Sequence, residues 1–232
     1  GGRSNDYITL YVTTGFARLR HLGVDGMPVV QAVKALGRLD GWIKKRYDRI
    51  VENKTLDENH LSSTVALYLY CRSFYLKDRP VGQAHKKAFD YFVGQAKKHW
   101  LKVGSRQSQA HVAIALHRLG DKQVPGDVIK SILQHSVTNE ELGMFWRDTE
   151  HSWWWYRAPI ETQAMMIEAF NEITADKDAV RECQIWLIKQ KQTQAWKTTK
   201  ATADAVYSIL LGGDNLLAST RLVEVSLGGE TV

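Results

Sequence analysis

Asp148, Glu150 and His151 stand close together beside the aromatic run Trp153, Trp154, Trp155 and Tyr156, with Trp146 just upstream. Carboxylates and an imidazole held side by side are the raw material of general acid–base catalysis. Aromatic faces in a row can stack carbohydrate rings or bases. The competing explanation is a polar lip above a plug of packed aromatics, and the sequence favours it because nothing else completes a site. The eight histidines, among them His60, His85, His99 and His135, never fall at a metal-ligand spacing with cysteine or carboxylate. His111 and His117 lie six apart, so one helix face would not present both.

Cys71 and Cys183 lie within apolar helical runs, the setting of buried free thiols; a disulfide is the alternative. No nucleophile-elbow motif marks a serine triad. Gly212-Gly213 and Gly228-Gly229 read as helix-stop and turn glycines, not a phosphate cradle. Glu161-Thr162-Gln163 reads as routine first-turn stabilisation of exposed helix amides. The residues by themselves therefore lead to no catalytic group, cofactor or metal, and to a funnel lip at residues 146–156 as the one candidate binding feature.

The elements that would position these residues are helices. After Pro159, residues Ile160, Ala164, Ile167, Phe170 and Ile173 recur at three- and four-residue steps, one apolar face along a helix. Asp6 reads as the N-cap of a first helix whose apolar face is Ile8, Tyr11, Val12, Gly15, Leu19 and Leu22. Pro28 opens a longer helix bearing Val33, Leu36, Leu39, Ile43, Tyr47 and Ile50. Leu61–Leu76 is apolar almost all round, as a helix inside an assembly would be. The fourth helix, near 81–100, turns Ala84, Ala88, Tyr91, Phe92, Gln95 and His99 inward and lysines outward. Helices around Ile114, Ile132, Trp186 and Val206 complete a predicted set of nine.

The nine alternate in kind. Those containing Leu67, Ile114, Ile167 and Val206 are small and apolar on several sides; those containing Leu36, Phe92, Ile132 and Trp186 carry a charged outer stripe. Aligning Leu116, Phe170 and Leu210 gives a repeat of roughly 40–55 residues, the range of helix-pair arrays. Inner helices packed by outer ones around an axis make an all-α αα-toroid, with an open superhelix as the structural competitor. The helical domain is expected over 1–215, incomplete at its N-terminal end. Over 216–232, Val223, Val225 and Leu227 alternate with Glu224 and Ser226, and Gly228-Gly229 turns the chain back: a half hairpin entering a neighbouring β domain.

A net charge of +6 invites a nucleic-acid reading, but the lysines scatter over solvent faces and no recognition motif accompanies them. No stretch is long and apolar enough to span a membrane.

The segments WRDTEHSWWWYRAPIETQAMMIEAFNEI and WKTTKATADAVYSILL resemble the late repeats of the thioester-type toroid domain of bacterial alpha-2-macroglobulin-like proteins, of the Bacteroidetes type. GGRSNDYITLYVTTGFARLRHLGV resembles an earlier inner helix of that domain. The resemblance implies the toroid portion of a protease-trapping inhibitor of the cell envelope, periplasmic or on a surface lipoprotein. It would be non-enzymatic, set between strands of a β-sandwich, with proteases as partners of the whole protein. Family members bearing a thioester form it from a Cys-x-Glu-Gln motif. Here Cys71 is followed by Arg-Ser-Phe and Cys183 by Gln-Ile-Trp, so that chemistry is not expected in this chain. The alternative reading is a peptide- or glycan-binding toroid that uses the tryptophan-rich lip.

Overall fold

A computed structural model describes residues 5–26, 28–149, 158–193, 196, 198–211, 226–227 and 230–231. Among them are nine α-helices: α1 Asp6–His21, α2 Val29–Glu52, α3 Ser63–Ser73, α4 Gln83–His99, α5 Arg106–Arg118, α6 Gln123–Gln134, α7 Pro159–Ala169, α8 Lys177–Thr193 and α9 Thr199–Leu211. None of the described helices is long and apolar enough to cross a membrane.

Local chemistry sets the helix ends. Asn5, not Asp6, caps α1: its Oδ1 accepts from the backbone N–H groups of Tyr7 at 2.8 Å and Ile8 at 3.2 Å. Gly23, at φ +76°, closes the same helix with its N–H on the Arg20 carbonyl. Ser62 and Ser105 cap α3 and α5 through their hydroxyls, and Pro159 takes the first turn of α7. α7 then runs into a π-helical turn, Phe170–Thr174, that stops at Ala175 in the left-handed region.

The odd-numbered helices are consecutive neighbours: α1 packs on α3, α3 on α5, α5 on α7, and α7 on α9. Of the even-numbered set, α2 packs on α1 and α4, α6 on α5, and α8 on α7. Residues Val65–Arg72 of α3, Gln107–Leu116 of α5 and Glu161–Ala169 of α7 are buried without a break. The even-numbered helices are amphipathic, as expected. In α2, Leu36, Leu39, Ile43, Tyr47 and Ile50 are buried; in α6, Val128, Ile129 and Ile132.

Two expected faces are corrected. α1 buries Leu10, Thr13, Thr14 and Ala17, while Ile8, Val12 and Leu19 are exposed. The threonines can go inward because their hydroxyls donate to the helix itself, Thr13 to the Thr9 carbonyl and Thr14 to the Leu10 carbonyl. In α4, Ala84 is exposed, and Phe89 and Ala96 take the inward places beside Ala88, Phe92, Gln95 and His99.

A hairpin unanticipated from sequence joins α6 to the aromatic segment: β1 Val137–Asn139 pairs antiparallel with β2 Gly143–Phe145. Gly143 has φ +77°, and a Cβ there would run into the Glu182 carbonyl of α8, so glycine suits it twice over. At the other end, β3 Ser226–Leu227 pairs with β4 Glu230–Thr231, Leu227 opposite Glu230, the register of a two-residue turn. Val223 and Val225 lie outside the described residues, as does the expected boundary at 215/216.

Candidate functional site

The odd-numbered helices bring polar side chains to one buried place. Arg18 comes from α1, Tyr70 from α3, His111 and Arg118 from α5, Glu168 from α7, and Asp204 and Tyr207 from α9. Arg18 Nη1 donates to Asp204 Oδ1 at 2.6 Å, and its Nε donates to the Tyr70 hydroxyl at 3.0 Å. Its guanidinium lies over the Tyr207 and Tyr70 rings, 4.9 and 5.4 Å from their centroids. Tyr70 passes its own proton on, donating to Glu168 at 2.7 Å. The Glu168 carboxylate, 1 % exposed, also accepts from Arg118 at 3.0 Å and from the Tyr207 hydroxyl at 3.3 Å. Arg118 continues to Glu172 and to the Ser73 hydroxyl. At the outer rim Lys200 donates to Asp204 at 2.6 Å and stands 3.6 Å from Glu161.

The electrostatics follow from this wiring. Burial alone would lower the Arg18 pKa, but Tyr70, Asp204 and Glu168 hold it well above the ordinary arginine value. Arg118 is likewise raised against the pull of burial, first by its hydrogen bond to Glu172 and then by Glu168. Burial pushes the Tyr70 and Tyr207 hydroxyls well up, so both act as neutral donors. His111 is driven well below the ordinary histidine range by burial and then by the charges of Arg18 and Lys200, so its ring is neutral. Burial raises Glu161 despite Lys200. The network fixes one charge by another and leaves each carboxylate committed to donors. Chemically it is a clasp: it joins α1 to α9, 186 positions apart, across the three helices between.

A second buried clasp joins α2 to α3. Asp40 accepts from the Tyr68 hydroxyl at 2.7 Å and from Arg72 Nε at 3.0 Å, while Arg72 Nη2 reaches the Arg79 carbonyl at 2.6 Å.

The expected funnel lip is described at two of its residues. Trp146 is 1 % exposed, donates its indole N–H to the Ile132 carbonyl at 3.0 Å, and stacks on Phe170. Asp148 is exposed and pairs with Arg106 at 2.9 Å. Glu150, His151, Trp153, Trp154, Trp155 and Tyr156 lie outside the described residues. Cys71 and Cys183 are both free and buried; burial pushes the Cys71 thiol up to about 12 and Cys183 well above its usual value. Among the described residues no three His, Cys, Asp or Glu side chains gather closely enough to hold a metal.

Glu161, Thr162 and Gln163, read from the sequence as routine first-turn residues, are all buried. Gln163 Nε2 donates to the carbonyls of Met144 at 2.6 Å and Cys183 at 3.2 Å, tying α7 to β2 and α8. The clasp residues carry a readable signal in the sequence. Arg18 in FARL, Glu168 in MIEAF and Asp204 in ADAV are charges set inside apolar helical runs, and such charges must find partners.

Compared with known proteins, the chain matches no family model, no curated protein and no solved structure.

Proposed function

We propose that this chain is a helical toroid whose work is mechanical, a scaffold and not a catalyst. The observation that carries the proposal is the arrangement of α1, α3, α5, α7 and α9: consecutive neighbours that all reach one clasp, with amphipathic helices packed against them. An open superhelix would not bring its first and last helices into an ion pair.

Within that class, the resemblance of the Trp146–Ile173 and Trp196–Leu211 segments makes it the toroid portion of a macroglobulin-like protease trap of the cell envelope. Two observations are consistent with a member, or a portion, without thioester chemistry. Both thiols are buried with raised pKa values, and neither begins a Cys-x-Glu-Gln motif. The exposed apolar side chains Ile8, Val12 and Leu19 of α1 give a face for a neighbouring domain of the trap.

The test is to incubate the whole natural protein with several endopeptidases. A trap is cut once in an exposed segment, then shields large substrates from the bound protease while small ones are still cleaved. Unchanged cleavage of large substrates overturns the inhibitor assignment. Titration of this chain with oligosaccharides and peptides, read by tryptophan fluorescence, should give no response.

A further inference from the structure

α1 and α9 are the end members of the odd-numbered row. α1 packs on α2 and α3, and α9 packs on α7. Between α1 and α9 themselves, among the described residues, side chains close the seam. Arg18 meets Asp204 at 2.6 Å, the Arg18 guanidinium lies over the Tyr207 ring, and Lys200 stands 6.0 Å from the Tyr11 ring centroid. A seam closed by side chains opens at a lower free energy than an interface of packed helices.

His111 of α5 stands behind this seam. It is 2 % exposed, and its Nδ1 has no hydrogen-bond partner among the described residues. Its ring lies 4.8 Å from the Tyr70 ring, over which Arg18 also sits. α1 brings Tyr7, Tyr11 and Arg18 to this place, and α9 brings Lys200 and Asp204. α7 adds Glu161 beside Lys200 and Glu168 against the Tyr70 hydroxyl. Burial raises all three tyrosines, Tyr11 to about 12, so they carry no charge. Asp204 already holds Arg18 and Lys200, and Glu168 already holds Arg118, Tyr70 and Tyr207. The charges that bear on the His111 ring are therefore the cations Arg18 and Lys200.

We propose that the seam between α1 and α9 is an acid-sensitive latch: His111 cannot hold a second proton while Arg18 and Lys200 stand beside it, so falling pH draws the two helices apart. The proposal rests on the clasp and is independent of the protease-trap reading. Only a proton moves. In the closed seam the imidazole keeps a single N–H; in the open one it meets water, takes a proton from solvent, and the imidazolium persists because the two cations have moved off. Burial first, then Arg18 and Lys200, hold the closed-seam pKa well below the ordinary histidine value. The open form therefore binds the proton first, and opening grows as pH falls below about 6.5, by up to about tenfold per pH unit. Glu161, raised by burial, favours the closed form in acid, so variants at His111 are needed to separate the two groups.

Native-state hydrogen exchange of the 232-residue chain tests the latch, followed amide by amide from about pH 7.5 to 4.5 and corrected for the intrinsic rate. The expected result is one opening shared by the amides around Arg18 and Asp204, lower in free energy than the opening that releases α3 and α5. Its extent should rise toward about tenfold per pH unit below the histidine range, and His111→Phe and His111→Gln should remove that rise. Two results overturn the proposal. In one, the amides of α1 and α9 are as protected as those of α3 and α5 at every pH, so that only global unfolding releases them. In the other, the opening depends on pH in the same way with and without His111. Should neither variant fold, the natural chain still decides: an opening that does not grow as pH falls through the histidine range overturns the latch.

Discussion

The same kinds of charged side chain do different work in two parts of this molecule. On the outward sides of α2 and α4, Lys44–Asp48 and Lys86–Asp90 form ion pairs along a single helix, each partner about half exposed. In the clasp, Arg18, Arg118, Glu168 and Asp204 form ion pairs between helices with almost no contact with solvent. In water the attraction is screened and the side chains lose entropy, so the outer pairs contribute little. In the clasp the charges have given up hydration, and what matters is the cost of leaving any one of them without its partner. The outer pairs decorate helices that would form without them. The inner ones specify which helices meet.

Breaking the clasp at its centre should have the largest effect. Glu168→Ala removes the acceptor of the Tyr70 and Tyr207 hydroxyls and one of the two carboxylates on Arg118, which keeps Glu172, and is expected to cost about 3–5 kcal/mol in urea unfolding. A loss under about 1 kcal/mol would put Glu168 in the class of the outer pairs. Gln163→Leu tests whether neutral polar groups follow the same rule. It leaves the Met144 and Cys183 carbonyls without this donor, and the expected loss is about 1–3 kcal/mol.

Acid sharpens the comparison through His111. Its pKa is depressed in the folded chain, so the unfolded chain binds the extra proton first. Its contribution to stability is complete above the ordinary histidine pKa and is lost as pH falls below it. The expected slope reaches about 1.4 kcal/mol per pH unit in that range, and His111→Phe should flatten it. Glu161, whose pKa is raised, acts in the opposite sense: its contribution is greatest at low pH and is lost as pH rises through its folded value. At the small end, Lys86→Ala on α4 should change stability by less than about 0.5 kcal/mol and respond to salt.

The helices and their burial were legible in the sequence because they rest on periodicity. Leu36, Leu39 and Ile43 of α2 fall at three- and four-residue steps, and the nearly all-round apolar run of α3 announces a helix covered on several sides. The buried face of α1 departs from its apolar periodicity for a physical reason: its inward threonines satisfy their own hydroxyls on the helix backbone and so pack like apolar residues. The hairpin at β1–β2 was not legible, since three-residue strands carry too few positions for alternation to stand out, and Gly143 is demanded by a tertiary contact with α8. The clasp was half legible. A charge inside an apolar run declares that a partner exists, but nothing local says that the partner of Arg18 is Asp204.

The account rests on the claim that the first and last odd-numbered helices are locked to each other, and a double-mutant cycle on Arg18→Met and Asp204→Leu tests it most directly. Asp204→Leu leaves Arg18 with Glu168 at 3.9 Å and should cost about 3–5 kcal/mol, and Arg18→Met should cost less, because Lys200 stays paired with Asp204. The double variant should cost far less than their sum, with a coupling of at least about 2 kcal/mol. Losses that add to within about 0.5 kcal/mol would show that Arg18 and Asp204 are not coupled, and would contradict the proposed toroid.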